Sequence, residues 1–291
     1  MEPRLQRRVQ RYGWDIAAAS YESLWQAQIA HAQSEMIARA RLERGDRVLD
    51  VACGTGLVAF AAAEAVGPEG RVVGVDLSGE MVDVARNRAV EQDVRNASFA
   101  RMDAESLDLP DASFDVAFCA LGLMYIPSPR RAVHEIRRVV RPGGRIGFAV
   151  WGLRSACGWS AVFPIVDAEV ATEVCPLFFE LGEEDRLARL CADVQLENVV
   201  AHRIGTTLDY ADADEACSAA FVGGPVALAW SRFDDAVRAR VRMRYLEAIR
   251  PWQIGRGYRI PGEFVVVAAV APGAAIAESP RPLAPAATAG R

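Results

Sequence analysis

Short apolar runs alternate with stretches of helical periodicity through the first half of the chain. In Leu57–Val66 and Arg131–Val140, apolar side chains recur at the spacing of a helix that buries one face. The runs between them are short and mostly apolar, as in strands covered on both faces. This alternation predicts a parallel, doubly wound α/β sheet. Its strands are predicted at Val48–Asp50, Arg71–Val75, Ser98–Ala100, Phe114–Ala120 and Ile146–Trp151.

The second half of the chain also contains strand and helix patterns, but strands and helices no longer follow each other in strict alternation. No long polar linker interrupts residues 40–271, which favours one sheet with an insertion over two separate domains. The predicted elements are helices at Leu181–Val194, Asp212–Phe221 and Arg232–Ile249, and strands at Asn198–Ile204 and Phe264–Val270.

The turn after the first strand carries the candidate ligand-binding residues. The segment Val48–Gly56 combines an apolar run, Asp50, and the glycines Gly54 and Gly56 just before a helix. Glycines permit a tight turn and the close approach of a ligand to the backbone. Asp76 ends the second strand, where a carboxylate suits the two hydroxyls of a ribose. Together these features predict a nucleoside-binding domain.

Asp50 decides which nucleoside is the better candidate. Gly54–Ala59 formally fits the dinucleotide fingerprint, which is a weak signal by itself. A carboxylate at this turn would repel a pyrophosphate and attract a cationic amine. We therefore expect S-adenosylmethionine rather than NAD. A structural role for Asp50, as a cap of the following helix, is the alternative.

Two further segments follow strands and should lie at the same edge of the sheet. Asp103 and Ala104 follow the third strand, where the Asp103 carboxylate could accept a hydrogen bond from an adenine amino group. Met124 and Tyr125 follow the fourth strand. They are candidates for the substrate side of the cleft, with Tyr125 able to orient a hydroxyl or an amine.

Five segments carry a family resemblance: Val48–Gly56, Val75–Ser78, Met102–Glu105, Leu109–Asp115 and Arg141–Gly144. Together they resemble class I S-adenosylmethionine-dependent methyltransferases, over about residues 45–152. The resemblance is closest to the small-molecule group that includes the ubiquinone and menaquinone biosynthesis enzymes. It implies a doubly wound, mostly parallel seven-stranded sheet with N-terminal lid helices and an inserted helical cap.

The resemblance also implies a division of the chain. Residues 1–44 would form the lid and 45–152 the cofactor-binding core. Residues 153–271 would complete the sheet and contain a substrate cap at about 206–261. Residues 272–291, rich in Ala and Pro, are predicted to be a disordered tail.

By the same resemblance, the cofactor site is expected to draw on the lid, on the first strands and on the turns after them. Aromatic side chains of the lid would attract a sulfonium cation through their ring faces. The predicted cofactor-binding residues are Tyr12, Trp14, Tyr21, Asp50, Ala52, Cys53, Gly54, Gly56, Asp76, Leu77, Met81, Met102, Asp103, Ala104, Cys119 and Ala120.

The amino-acid composition argues against some kinds of partner and some alternative functions. The chain has no lysine, which excludes Schiff-base chemistry and a Tyr/Lys dehydrogenase pair. A formal charge of −5 argues against nucleic acid as a partner. The six cysteines are widely spaced, which predicts free thiols in a cytoplasmic protein and no metal site. No apolar run is long enough to predict a membrane span.

We therefore expect methyl transfer to a small hydrophobic or aromatic molecule by in-line displacement, with S-adenosylhomocysteine as product. His31, on a lid helix predicted to begin at Ser20, is the candidate base if the acceptor must lose a proton. A nicotinamide-dependent oxidoreductase and a non-catalytic S-adenosylmethionine-binding protein are the alternatives. The methylated atom and the choice between monomer and homodimer stay open. Aromatic residues that could line an acceptor pocket or form the core of the cap are Phe163, Phe178, Phe179, Phe221, Trp230 and Tyr245.

Overall fold

One β-sheet organises the protein, and its strand order reverses beside the first strand. The computed structural model describes residues 2–170, 175 and 177–273, so nearly all of the predicted tail lies outside the described residues. The described strands follow the order β3-β2-β1-β4-β5-β8-β6, with β7 paired to β8. They are β1 (Arg47–Val51), β2 (Arg71–Asp76), β3 (Ala97–Arg101), β4 (Phe114–Ala120), β5 (Val140–Trp151), β6 (Glu197–Tyr210), β7 (Gln253–Ile254) and β8 (Gly257–Val270).

The sheet is parallel through its first five strands and antiparallel beyond them. β1 pairs with both β2 and β4 in parallel, whereas β8 runs antiparallel to β5, β6 and β7. The prediction of a doubly wound, mostly parallel α/β sheet is confirmed. The crevice beside β1, where the strand order reverses, is where such sheets bind ligands.

The expected number of seven strands is wrong, because the described sheet has eight. The additional strand is β7, which forms a short hairpin with β8 around Gly255. The φ angle of Gly255 is 61°, a left-handed conformation that glycine adopts without strain. A strand of two residues has no periodicity for a sequence pattern to reveal.

Helices pack against the sheet and also form the insertion between β6 and β7. The ends of β6 and β8 are paired from Thr206 to Tyr210, so the sheet extends into the segment expected to be cap. The helices are α1 (Pro3–Ala40), α2 (Leu57–Val66), α3 (Gly79–Glu91), α4 (Pro129–Val139), α5 (Val162–Val170), α6 (Arg186–Asp193), α7 (Ala213–Phe221), α8 (Ala227–Arg232) and α9 (Asp235–Ile249).

The N-terminal region is one helix of 38 residues rather than several lid helices. It begins at Pro3, where the Glu2 side chain accepts a hydrogen bond from the Arg4 backbone N–H. The predicted helix start at Ser20 is therefore wrong. Ser23 donates its hydroxyl hydrogen to the Ser20 carbonyl within the helix, so its polar group is satisfied without a cap.

None of the described helices combines the length and apolar character that a membrane-spanning helix requires. The long helix α1 instead buries a stripe that includes Ile29, Ala32 and Met36. This stripe joins the main core, together with residues of β1, β4 and β5. Because this stripe is buried against the sheet, it fixes the position of α1 on the sheet.

The contact between α1 and β5 generates a stability prediction. A Cβ atom at Gly147 would lie 2.9 Å from both Met36 Cγ and Phe118 Cδ1, so Gly147→Ala should overpack the core. We expect a loss of about 1–3 kcal/mol in the free energy of unfolding, measured in urea. Gly205→Ala, on β6, meets nothing within 4 Å and is the control, with an expected change of at most about 0.5 kcal/mol. Equal effects of the two substitutions would contradict the packing described here.

Candidate active site

A cavity lies at the carboxyl ends of β1, β2 and β4, beneath the first half of α1. Strand ends supply one wall and α1 supplies the opposite wall. The cavity is lined by most of the residues predicted for the cofactor: Trp14, Tyr21, Ala52, Gly54, Asp76, Leu77, Met81, Met102, Asp103, Ala104 and Ala120. The two residues predicted for the substrate, Met124 and Tyr125, line the same cavity.

Four predicted residues are buried beside the cavity without lining it. Asp50 and Cys119 lie within β1 and β4, and Cys53 and Gly56 lie in the turn after β1. Gly56 has a φ angle of 90°, and a Cβ atom there would lie 2.8 Å from Phe60 Cε2. Its role in this turn is conformational, because no side chain would fit.

Two predicted residues lie away from the cavity. Tyr12 faces outward on α1 with 43% of its surface exposed, and Arg11 lies over its ring. His31 is also on an exposed face of α1 and does not line the cavity. Both placements correct the sequence-based assignment. Tyr12 was assigned from the resemblance and His31 from its residue type, and neither basis shows on which face of α1 a side chain lies.

Asp76 fixes the geometry of the turn that follows β1. Its Oδ2 accepts a hydrogen bond from the Gly54 N–H at 2.9 Å, and its Oδ1 accepts one from the Ser78 N–H at 2.8 Å. Gly54 has a φ angle of 54° at this point. The carboxylate thus joins the turns after β1 and β2 while remaining at the cavity wall. Each oxygen retains a further lone pair for a ribose hydroxyl.

The segments that follow β1 and β4 approach each other closely and form the floor of the cavity. A Cβ atom at Gly122 would lie 2.4 Å from the Ala52 Cβ, so only glycine fits there. Ala52 and Leu121 have φ angles of 57° and 58°, in the left-handed region that is unfavourable for side-chain-bearing residues. Backbone strain of this kind collects at functional sites. Sequence reasoning did not identify Leu121 or Gly122, because a positive φ at leucine leaves no local signal.

Asp50 is a buried carboxyl group with an unsatisfied oxygen. Its side chain is 1% exposed, and Oδ2 has no hydrogen-bond partner among the described residues. The pKa of Asp50 is raised to about 8, chiefly by burial; a backbone hydrogen bond acts to lower it, and the charge of Asp76 acts to raise it. Burying a carboxylate without a partner is costly. A cationic amine would supply the missing partner, so the site fits an amine-bearing nucleoside such as S-adenosylmethionine.

An ion pair closes one end of the cavity from the lid. The Arg7 Nε lies 2.6 Å from Glu105 Oε2 and 3.2 Å from Asp103 Oδ2. All three side chains line the cavity. Sequence reasoning missed Arg7, because the pair joins positions almost a hundred residues apart and no local pattern connects them.

The other end of the cavity is aromatic. Trp14 packs edge-on against Tyr21 and Tyr125, with ring centroids 5.7 and 5.1 Å apart. Tyr125 in turn packs against Phe178 at 5.4 Å. Burial raises the pKa of both tyrosine hydroxyls well above the usual value, so they remain neutral at neutral pH. Trp25, Trp151 and Trp159 complete this wall.

The six aromatic residues considered for an acceptor pocket divide between two places. Phe178 lines the cavity. Phe221 stacks on Trp230 at 4.5 Å and packs against Tyr245, which places these three in the core of the insertion. Phe163 and Phe179 pack on Phe178 from behind. Most of the set is therefore structural, and Trp14, Trp25, Trp151 and Trp159 supply much of the aromatic lining of the cavity.

Comparison with known proteins finds similarity over part of the chain. Residues 48–144 match the family model described as a methyltransferase domain. The demethylmenaquinone methyltransferase of Listeria monocytogenes serotype 4a is 35% identical over 131 residues, which cover 45% of this chain and 55% of that protein.

Two further similarities bear on the rest of the chain. The aklanonic acid methyltransferase DauC of Streptomyces sp. strain C5 is 39% identical over 104 residues, covering 36% of this chain and 47% of that protein. The chain thus spans about half the length of the curated relatives it matches. The phosphoethanolamine N-methyltransferase 2 of Haemonchus contortus, solved with S-adenosyl-L-methionine, has a TM-score of 0.57 and is 17% identical, covering 89% of this chain and 57% of that chain. At that identity it shows the fold alone.

The methyltransferase domain should depend on Asp76 for nucleoside binding. In Asp76→Ala we expect S-adenosylhomocysteine to bind about 1–3 kcal/mol more weakly in calorimetry, because the ribose hydroxyls lose their acceptor. Asp93→Ala, which removes an exposed partner of Arg95, is the control and should bind normally. Wild-type affinity in Asp76→Ala would show that Asp76 only supports the turn.

The raised pKa of Asp50 predicts proton release on ligand binding. Below about pH 8 the buried carboxyl of the free protein is protonated. Pairing with the ammonium group of S-adenosylhomocysteine lowers its pKa, so binding at pH 7 should release about one proton. Calorimetry in buffers of different ionisation enthalpy measures this number. Asp50→Asn should release none, and an unchanged release in that variant would refute the assignment.

Proposed function

We propose that this protein transfers the methyl group of S-adenosylmethionine to a small hydrophobic or aromatic molecule. The observation that carries the proposal is the continuity of one cavity, which joins the nucleoside-binding turns to a wall of aromatic side chains. Pockets for small molecules are typically apolar with a few placed polar groups. The names of two relatives, a demethylmenaquinone methyltransferase and an aklanonic acid methyltransferase, are consistent with such an acceptor.

The residues around the cavity divide the work of binding and alignment. S-adenosylmethionine, when bound, supplies a methyl group on a positively charged sulfur that is already activated. Asp50 would accept from its amine and Asp76 from its ribose hydroxyls, while Asp103 would accept from its adenine amino group. Met124 and Tyr125 line the cavity next to these groups and would position the acceptor. Alignment of this kind contributes about 7–11 kcal/mol to catalysis.

Proton removal is a minor part of this proposal. The three histidines, all in the described part of the chain, do not line the cavity. Tyr125 stays protonated because burial raises its pKa far above neutral pH, so it orients the acceptor by hydrogen bonding. The reaction therefore suits an acceptor that is already nucleophilic, or one that loses its proton to water.

The compartment and the partners follow from the same proposal. We place the reaction in the cytoplasm, with a small molecule and no nucleic acid as partner. Supporting this, the six cysteines are free and buried, as in a reducing compartment. Burial raises the pKa of the Cys119 thiol beside the cavity, so it does not act as a nucleophile.

The proposal predicts a product of defined mass. Incubation with S-adenosylmethionine should methylate members of a panel of phenols, naphthols and hydroxyquinones, detected by mass spectrometry together with S-adenosylhomocysteine. Ethanolamine and glycine, as hydrophilic acceptors, should stay unmodified. Tyr125→Phe should raise KM for the acceptor several-fold and leave the affinity for S-adenosylhomocysteine unchanged.

Three outcomes would contradict this function. NAD binding without any response to S-adenosylhomocysteine would favour an oxidoreductase. Cofactor binding with no methylation across the panel would favour a non-catalytic binding protein. Methylation confined to the hydrophilic amines would overturn the acceptor class.

A further inference from the structure

Two tryptophans of the cavity wall carry buried hydrogen-bond donors without acceptors. Trp25 is 6% exposed and Trp159 is 2% exposed, and both line the cavity. The indole Nε1 of each is buried and has no hydrogen-bond partner among the described residues. Buried donors are nearly always paired, because an unpaired one loses its hydrogen bond to water without replacement. Two such donors in one wall indicate that their acceptors arrive with a ligand.

The two indoles belong to one cluster but to different parts of the chain. Trp25 lies on α1, and Trp159 lies on the short 3₁₀ helix Gly158–Ala161. Their ring centroids are 5.9 Å apart, with the planes inclined by 68°. Trp151, at the end of β5, packs against both rings. The α1 lid and the segment after β5 therefore meet at this cluster.

Two glycines lie near the edge of the Trp25 ring that carries its N–H group. A Cβ atom at Gly223 would lie 3.3 Å from Trp25 Cδ1, and one at Gly224 would lie 3.7 Å from Cζ2. These two ring atoms flank Nε1, so the glycine pair faces the donor edge. Gly224 itself lines the cavity. Gly223 and Gly224 carry no side-chain acceptor, and the Trp25 donor stays unpaired among the described residues.

The two indole N–H donors indicate which kind of molecule suits this aromatic wall. Tyr125, Phe178 and Trp159 form a continuous run of rings, with centroid distances of 5.4 and 5.5 Å. Such a wall suits either a flat aromatic molecule or a cation. An indole N–H presents the positive end of its dipole, which opposes a cation and attracts an oxygen lone pair. The cluster therefore favours an uncharged ring that bears oxygen.

We propose that Trp25 and Trp159 form an oxygen-recognition subsite for the methyl acceptor. In this subsite the indole N–H groups donate hydrogen bonds to a hydroxyl or carbonyl oxygen of a flat aromatic acceptor. The ring of that acceptor packs along Phe178 and Tyr125. The inference rests on the proposed function, and it specifies the acceptor as an oxygen-bearing aromatic molecule rather than any hydrophobic one.

The test compares two probes that differ by one oxygen atom. Binding of 1-naphthol and of naphthalene is measured by ligand-observed NMR on the full-length protein saturated with S-adenosylhomocysteine. We expect 1-naphthol to bind about tenfold more tightly, a difference of about 1.4 kcal/mol. Trp25→Phe and Trp159→Phe keep an aromatic ring but remove the donor, and each should reduce the ratio to about threefold or less. Trp230→Phe removes an indole in the core of the insertion, outside the cavity lining, and should keep the wild-type ratio.

The outcomes separate this inference from the proposed function. Equal affinities of the two probes for the wild-type protein would overturn the subsite, as would failure of both probes to bind. A tenfold ratio that persists in both Trp25→Phe and Trp159→Phe would also overturn it. Calorimetry with S-adenosylhomocysteine on the same samples checks that each variant folds. Loss of that binding in the wild-type protein would instead overturn the proposed function.

Discussion

The hydrogen bonds of the Asp76 carboxylate hold together the part of the molecule on which the cavity depends. One side chain fixes the turn after β1 through Gly54 and the turn after β2 through Ser78. The two strands are neighbours in the sheet, so their turns meet at the same edge. The geometry requires a left-handed backbone at Gly54 and Gly56, and glycine provides it without strain. The same glycine turn therefore shapes the nucleoside-binding edge and leads into the start of α2.

The second determinant is the length of α1. Because it is one helix from Pro3 to Ala40, its C-terminal half packs in the core while its N-terminal half covers the cavity. Polar contacts fasten the covering half to the rest of the molecule, among them Arg7 to Glu105, Asp15 to the Ser78 hydroxyl, and Glu22 to Arg88.

Three of the five unsatisfied buried side-chain atoms among the described residues fall in two groups around the cavity, whereas Arg39 Nε and Thr55 Oγ1 belong to residues that do not line it. Asp50 Oδ2 lies at the nucleoside end, and the indole nitrogens of Trp25 and Trp159 lie at the aromatic end. One group lacks a donor and the other lacks acceptors, so the two ends differ in the chemistry they would complement. A sulfonium cofactor with a free amine suits the first, and an oxygen-bearing ring suits the second.

The amino-acid sequence by itself determined the nucleoside-binding half. The bounds of α2 and β4 agree with the pattern, and Asp50 and Asp76 lie at the carboxyl ends of β1 and β2 as predicted. These features are local, since a buried strand, a glycine turn and a helix are each encoded by neighbouring residues. Only the tertiary structure decided the rest: the single long α1, the hairpin strand β7, the Arg7 ion pair and the meeting of Trp25 with Trp159. Those contacts join residues far apart in the chain. The periodicity of a sequence indicates which face of an element is buried, but it does not indicate which distant residue packs against that face.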